Sequence, residues 1–195
     1  KGDYEAAVPL LERAVRMRSA GGASSPELAS SLLELANVHF YAGRYKEAET
    51  LSRQALDLSR RIYGERHPAV AEALSNLGAI HQDLGDYREA ERYHRRALEI
   101  TAAYFGNDHY RTAACLTMLA RALVFQKRLE EATAPLEQAL AIEERVYGPV
   151  NRRVASTLNE FGTINLMRGR LEESRAAFRR MTEIYRSIYS GKHYL

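Results

Sequence analysis

Six histidines and one cysteine are the residues of this 195-residue chain best suited to metal binding or acid-base catalysis. No two histidines have the i, i+4 spacing of a helical zinc site, and Cys115 has no second thiol to join it. Five of the histidines instead recur at 42 residues or a multiple of it, in two sets: His39 and His81, then His67, His109 and His193. Residues that recur in this way are most simply parts of a repeat, so the spacing predicts no metal site.

Other motifs of catalysis and cofactor binding are also missing from the sequence. There is no glycine-rich phosphate-binding loop and no Gly-x-Ser-x-Gly nucleophile elbow. Paired acids such as Glu130-Glu131 and Glu172-Glu173 fall at the predicted starts of helices, where carboxylates favour the helix dipole and face solvent. The sequence therefore predicts a protein that is not an enzyme and uses no cofactor.

Tyrosine stacking and charge do not indicate a nucleic-acid binder. Twelve tyrosines could stack on bases, but two sets of them recur with the repeat, which is typical of core packing: Tyr4, Tyr45 and Tyr87, then Tyr63, Tyr147 and Tyr189. The formal net charge of +3 is the small difference between 28 basic and 25 acidic residues, whose signs alternate along every segment. No apolar run is long enough to cross a membrane, and a single cysteine excludes an intramolecular disulfide, so we expect a cytoplasmic protein.

The elements that carry these residues are set by an internal repeat. The segments at 43–48, 85–90, 127–132 and 169–174 are similar and 42 residues apart, and an earlier copy at 2–7 lies 41 residues upstream of the first. Leu74, Leu77, Gly78 and His81 form one stripe of an amphipathic helix. Gly85-Asp86 then predicts a turn with Asp86 as the N-cap of a second helix. Each repeat therefore predicts a helical hairpin, in which Gly78 allows close approach of the second helix.

The segment from Asn76 to Ile100, with its NLG, GDYREAE and ALEI motifs, resembles the tetratricopeptide repeat of the 42-residue kinesin light chain type. Tyr63-Gly64 and His67-Pro68 precede it, and the resemblance covers essentially the whole chain. It implies an all-α, right-handed superhelical solenoid of antiparallel hairpins with about nine helices. We expect one domain over 1–195, with the second helix of a truncated repeat at 1–19, full repeats at 26–62, 68–104, 110–146 and 152–189, and the start of a further repeat at 190–195.

The two ends of the sequence lie within repeats, so we expect a fragment of a larger protein. The loop Gly21 to Ser25 is expected to be flexible. Neither end shows the polar capping helix that solenoids normally need, which predicts end-to-end self-association. An alternative function is therefore a spacer, oligomerisation or regulatory arm of a multidomain signalling protein, for example beside a kinase or ATPase domain.

The leading functional prediction rests on the face of the first helices opposite the core. In tetratricopeptide arrays that face lines a concave groove for extended peptides, and here it mixes amides, aromatics and aliphatics instead of charges. The candidate groove residues are Asn37, Phe40, Tyr41, Asn76, Gln82, Asp83, Arg121, Phe125, Asn159, Thr163 and Met167. Packing between repeats is an alternative explanation for Phe40, Val124 and Leu166. The face predicts a protein-interaction scaffold that binds a peptide or a partner segment, and neither nucleic acid nor membrane.

Three of these residues resemble part of the carboxylate clamp of chaperone-binding tetratricopeptide domains. Asn37, Asn76 and Arg121 occupy clamp-like positions, but two positions that normally hold Lys hold Leu33 and Thr117. The loss of two cations weakens anion capture. We therefore favour a groove in which the asparagines bind the amides of a peptide backbone.

Overall fold

The computed structural model describes residues 4–20 and 25–189, and they form nine helices joined by short turns. In chain order the helices are α1 Tyr4–Ala20, α2 Pro26–Tyr41, α3 Tyr45–Tyr63, α4 Pro68–Asp83, α5 Tyr87–Phe105, α6 Tyr110–Phe125, α7 Leu129–Tyr147, α8 Arg152–Met167 and α9 Leu171–Tyr189. The predicted all-α repeat fold is confirmed. The copy of the repeat at 2–3, residues 21–24 of the predicted flexible loop, His193 and the predicted repeat start at 190–195 lie outside the described residues.

The first helices of the repeats, which we call the inner helices, begin at side-chain caps that recur every 42 residues. In each, a side-chain acceptor binds a backbone N–H two or three residues ahead, which satisfies one donor of the open helix end. The pairs are Ser25 Oγ with Leu28 N at 3.2 Å, His67 Nδ1 with Ala69 N at 3.2 Å, His109 Nδ1 with Arg111 N at 3.2 Å, and Asn151 Oδ1 with Arg153 N at 2.9 Å. Asp86 caps α5 as predicted, since its Oδ1 accepts from Glu89 N at 3.4 Å. The repeat is therefore marked at its helix starts by different residues with one task.

The turn inside each hairpin needs a residue in the left-handed region. Gly85 has a φ of +83°, which a residue without Cβ adopts freely. The equivalent Lys127 has a φ of +64° and is the one described non-glycine residue with positive φ. The repeat therefore keeps its turn geometry even where the sequence departs from glycine.

The chain divides into two compact units, residues 1–104 and 105–195, which we describe separately. In the first unit, α1 packs on α2, α2 on α3, and α3 on α4. In the second unit, α6 packs on α7, α7 on α8, and α8 on α9. The boundaries of the predicted single domain remain a prediction.

Small residues of the second helices lie in the core, as the repeat predicts. Ala48, Ala90 and Ala132, which are 42 residues apart, are fully buried. Ser174 replaces alanine in the last repeat, and its hydroxyl donates to the carbonyl of Gly162 at 2.7 Å. This hydrogen bond satisfies the buried hydroxyl at a position that otherwise holds alanine.

Gly78 makes room for a side chain of the second helix. A Cβ built on Gly78 would lie 2.4 Å from Cε1 of His94, whose imidazole is almost fully buried. Gly162 stands in the same relation to Phe178, at 2.8 Å from Cε1 of its ring. The predicted close approach is therefore an approach of a ring to the helix, and the glycine accompanies a bulky residue on the facing helix.

Among the described residues, no helix combines the length and the apolar character needed to cross a membrane.

Candidate functional site

Two asparagines meet on the inner helices of the first unit. Nδ2 of Asn76 on α4 donates to Oδ1 of Asn37 on α2 at 3.1 Å. Asn37 is exposed and Asn76 is half-buried. Within the described part of the chain this bond is the one side-chain hydrogen bond of the pair, so the Asn37 amide N–H groups and the Asn76 carbonyl oxygen are left to solvent. The pair thus presents both a donor and an acceptor.

The last residue of each inner helix is exposed. These residues hold one position of the repeat, and they are Tyr41, Asp83, Phe125 and Met167. Tyr41 is 64% exposed although its ring stacks on that of Tyr4, with centroids 5.8 Å apart. All four are candidate groove residues, and each is accessible to a partner within its own unit.

The preceding position of the repeat points into the protein. Phe40 is half-buried, with its ring edge-on to Tyr45 at 5.8 Å between centroids. Gln82, which follows it by 42 residues, is 7% exposed, and its Oε1 has no hydrogen-bond partner in the described part of the chain. In this structure, therefore, Gln82 is not part of the exposed surface on which the sequence analysis places it, because its position in the repeat is a packing position.

The second unit presents an ion pair on its inner helices. Nε of Arg121 on α6 lies 3.6 Å from Oε1 of Glu160 on α8, and both side chains are partly exposed. Thr163 donates its hydroxyl to the carbonyl oxygen of Asn159 at 2.9 Å, while the Asn159 side chain is exposed. Because Glu160 already balances the charge of Arg121, this cation is a poor anion receptor. Leu33, at a position where the clamp normally has Lys, is buried in the first unit.

The inner-helix histidines serve the packing of the first unit. His39 is buried and its Nδ1 accepts from Nε of Arg44 at 2.9 Å. His81 lies between two carboxylates, with Nε2 3.5 Å from Oε1 of Glu49 and Nδ1 3.4 Å from Oδ2 of Asp86. The described residues contain no cluster of three or more His, Cys, Asp or Glu side chains placed to hold a metal ion.

Arg53 shares the Glu49 carboxylate with His81. Its NH2 group donates to Oε1 of Glu49 at 2.7 Å, and this hydrogen bond raises the pKa of Arg53. The guanidinium also donates to the hydroxyl of Tyr93 at 3.3 Å. The polar groups around His81 are thus tied to α3 and α5, which favours a structural role for them.

A cavity of about 170 Å³ opens between α2, α3 and α4 of the first unit. Asn37 lies in its wall, so the cavity adjoins the asparagine pair. The polar residues and the one aromatic residue that line it are Ser30, Glu34, Asn37, Ser59, Tyr63 and Glu72. Two of them are exposed acids, and Ser59 is fully buried.

The family model of the tetratricopeptide repeat matches the chain in overlapping segments. These segments are 1–60, 27–101, 70–145 and 126–187, and together they cover most of the sequence. The chain belongs to the tetratricopeptide repeat family. Arrays of this family are typically non-enzymatic protein-interaction scaffolds, which supports protein or peptide partners for this tetratricopeptide array.

Several solved structures share the fold of the array. One is BtubC (BKLC) from P. vanneervenii, with a TM-score of 0.84, 21% identity, and coverage of 100% of this chain and 78% of that chain. Another is a putative kinesin light chain of Podosopora anserina with nearly identical TPR-like repeats (TM-score 0.80, 22% identity, 97% of this chain and 90% of that chain). A third is Rap protein complexed with Competence and Sporulation Factor (TM-score 0.74, 16% identity, 85% of this chain and 44% of that chain). The repeats are therefore of the kinesin light chain type, as the sequence motifs predict.

No curated protein sequence matches the array significantly.

The sequence analysis missed the cavity of the tetratricopeptide array because three helices build it. Glu34 and Glu72 are on inner helices, but Ser59 and Tyr63 are on α3, which was assigned to packing. A usable signal was present in the repeat: the positions of Glu34 and Glu72 change residue type between repeats. Glu34 is followed at intervals of 42 by Asn76, Met118 and Glu160, and Glu72 lies between Ser30 and Ala114.

Proposed function

We propose that the inner-helix surface of the array binds an extended peptide segment of a protein partner. The observation that carries this proposal is the Asn37–Asn76 pair, whose free donor and acceptor lie side by side on two adjacent helices. An extended peptide offers a backbone N–H and C=O at regular spacing, and two adjacent amide side chains can bind them without regard to the peptide sequence.

Exposed side chains near the ends of the inner helices support the same proposal. Tyr41 in the first unit, and Phe125 and Met167 in the second, give apolar contact area on a surface that also carries polar groups. The structure of Rap protein, which has a similar fold, is a complex with Competence and Sporulation Factor. A tetratricopeptide array can therefore hold a second molecule, and we expect this chain to do so.

The test begins with peptides selected from a library of random linear peptides on the intact chain. We expect Asn37→Ala and Asn76→Ala each to weaken the binding of a selected peptide by about two- to tenfold, the worth of one neutral hydrogen bond. Arg121→Ala, in the second unit, is expected to weaken peptides that bind there. All three variants should change the free energy of unfolding by less than about 0.5 kcal/mol, because the side chains are at the surface.

Asn107→Ala is the matched control, since Asn107 is an exposed asparagine of a turn between repeats. It should leave affinity unchanged. A library that yields no binding peptide, or selected peptides that bind all three variants as tightly as the unaltered chain, would rule out the groove.

Self-association is a second candidate function, and one observation favours it. Helix α1 contains no buried residue, and its Leu10 and Met17 are 70% and 67% exposed. Apolar side chains on an uncovered helix face can pack against a second copy or against a further repeat of a longer chain. Light scattering should then show mass that rises with concentration and falls in Leu10→Gln/Met17→Gln; a constant monomer mass would argue against this function and leave the peptide proposal intact.

A further inference from the structure

We propose that the cavity between α2, α3 and α4 binds a basic side chain, Lys or Arg, of the partner peptide. This inference rests on the proposed peptide-binding function and assigns a specificity to one part of that surface. Three features of the cavity carry it: its charge, a buried hydroxyl and its apolar walls.

The charge of the cavity comes from two carboxylates without cationic partners. Glu34 on α2 and Glu72 on α4 both line the cavity, and neither has an ion pair or a side-chain hydrogen bond within the described part of the chain. Other glutamates of this unit behave differently: Glu49 pairs with Arg53, Glu91 with Arg95 and Glu99 with Arg96. The two acids therefore give the cavity a net negative charge that favours a cation and disfavours an anion.

A buried hydroxyl in the cavity wall also lacks a partner. Ser59 on α3 is fully buried, and its Oγ makes no hydrogen bond in the described part of the chain. A buried hydroxyl without a partner costs free energy, and buried polar groups are nearly always satisfied. The N–H groups of an ammonium or guanidinium group would supply the missing donor, and they would bind the two carboxylates at the same time.

The walls of the cavity suit the rest of a basic side chain. Leu33, which is buried, and the half-exposed ring of Tyr63 line it together with Pro26. Lys and Arg carry an apolar stem below a charged head, so they can place methylene groups against such walls while the head meets the acids. The Tyr63 ring is held by stacking on His67, with centroids 4.0 Å apart.

The position of the cavity links it to the proposed backbone contacts. Asn37 contributes to the cavity wall and also accepts the hydrogen bond from Asn76. A peptide whose backbone is bound by the asparagine pair would thus have one side chain beside the cavity entrance. We expect that position of the peptide, and no other, to prefer a basic residue on account of this cavity.

The experiment selects random linear peptides on the unaltered chain and on Glu34→Gln/Glu72→Gln. Glutamine keeps the size of each side chain and removes its charge. The matched control is Glu47→Gln/Glu137→Gln, which removes two charges from exposed positions outside the cavity. For one selected peptide, affinity is also measured after its basic residue is replaced by norleucine or citrulline, which are neutral analogues of Lys and Arg.

We expect a Lys or Arg at one fixed position of the peptides selected on the unaltered chain and on the control variant. The preference should disappear on Glu34→Gln/Glu72→Gln. Loss of the peptide charge or of the two carboxylates should each weaken binding about tenfold, and combining them should cost little more, because both remove the same charged interaction.

Two other outcomes would overturn the inference, and they are distinguishable. Peptides that bind without a basic preference, or that bind the glutamine variant as well as the unaltered chain, would reject the basic-residue cavity and retain the peptide-binding function. Absence of any selected peptide would reject the peptide-binding function and this inference with it.

Discussion

Glu143 shows how a single residue of the repeat can depart from its neighbours. It is 5% exposed on α7 of the second unit, and its Oε2 accepts a hydrogen bond from the hydroxyl of Thr157 on α8 at 2.7 Å. Burial raises the pKa of Glu143, while the hydrogen bond from Thr157 and the charge of Arg153 act in the opposite direction. The residues at this position in the two preceding repeats are the neutral Ser59 and Thr101.

The raised pKa of Glu143 predicts a pH dependence of stability. In the unfolded chain a glutamate titrates near pH 4.3, so between about pH 4.3 and the higher pKa of the folded state the folded protein holds more protons than the unfolded one. The free energy of unfolding contributed by Glu143 therefore falls as the pH rises through this range and is constant above it. Glu143→Gln should gain stability relative to the unaltered chain as the pH increases, measured by urea unfolding from pH 4 to pH 8.

The matched control for this prediction is Glu137→Gln, an exposed glutamate of the same helix. Its stability difference from the unaltered chain should change little with pH. Glutamine at 143 can still accept the hydrogen bond from Thr157, so the comparison isolates the charge. A difference between Glu143→Gln and the unaltered chain that is constant from pH 4 to pH 8 would contradict the assignment.

Helix α4 carries the clearest prediction at the scale of an element. His67 caps its N-terminus through Nδ1 and stacks on Tyr63, the last residue of α3. His67→Ala removes both contacts and should lower the free energy of unfolding by about 1 kcal/mol, as for loss of other N-caps. His67→Asn should keep most of that stability, because Asn151 makes the same cap at the equivalent position of α8. Equal losses in the two variants, measured by urea unfolding, would show that the cap does not stabilise α4.

The helices and their order could be predicted from the sequence because the repeat determines them locally. Caps such as Ser25 and Asp86, and the turn at Gly85, depend on neighbouring residues alone. The position of a side chain across two helices could not be predicted in the same way. The sequence indicates that Gly78 meets a facing helix, but the structure was needed to show that the ring of His94 fills the space.

The candidate site was predictable to a smaller extent than the fold. Asn37 and Asn76 were identified as amides of one helix face, and the structure adds the hydrogen bond that joins them. Gln82 was included because an amide is unusual at its position, whereas burial follows from how the repeat packs. The cavity depends on Ser59 as well as on Glu34 and Glu72, and residues so far apart in sequence cannot be grouped without the packing of three helices.

At the scale of the whole molecule, a repeat array is expected to be stabilised by each repeat and its neighbours. Its contacts are short in sequence, so a local change can destabilise one part of the chain more than another. Gly78 and Gly162 offer equivalent changes in the two compact units. A methyl group at either position would overlap a facing ring, that of His94 in one case and that of Phe178 in the other.

Gly78→Ala and Gly162→Ala should each reduce stability by about 1 to 3 kcal/mol, because the added methyl group overpacks the core. We expect Gly78→Ala to speed amide hydrogen exchange mainly in α3 and α4, and Gly162→Ala mainly in α8 and α9. Each variant is the control for the other, since the change in chemistry is identical and only the unit differs. Exchange that increases to the same extent in both units, in both variants, would contradict local stabilisation and would instead support cooperative unfolding of a single domain over residues 1–195.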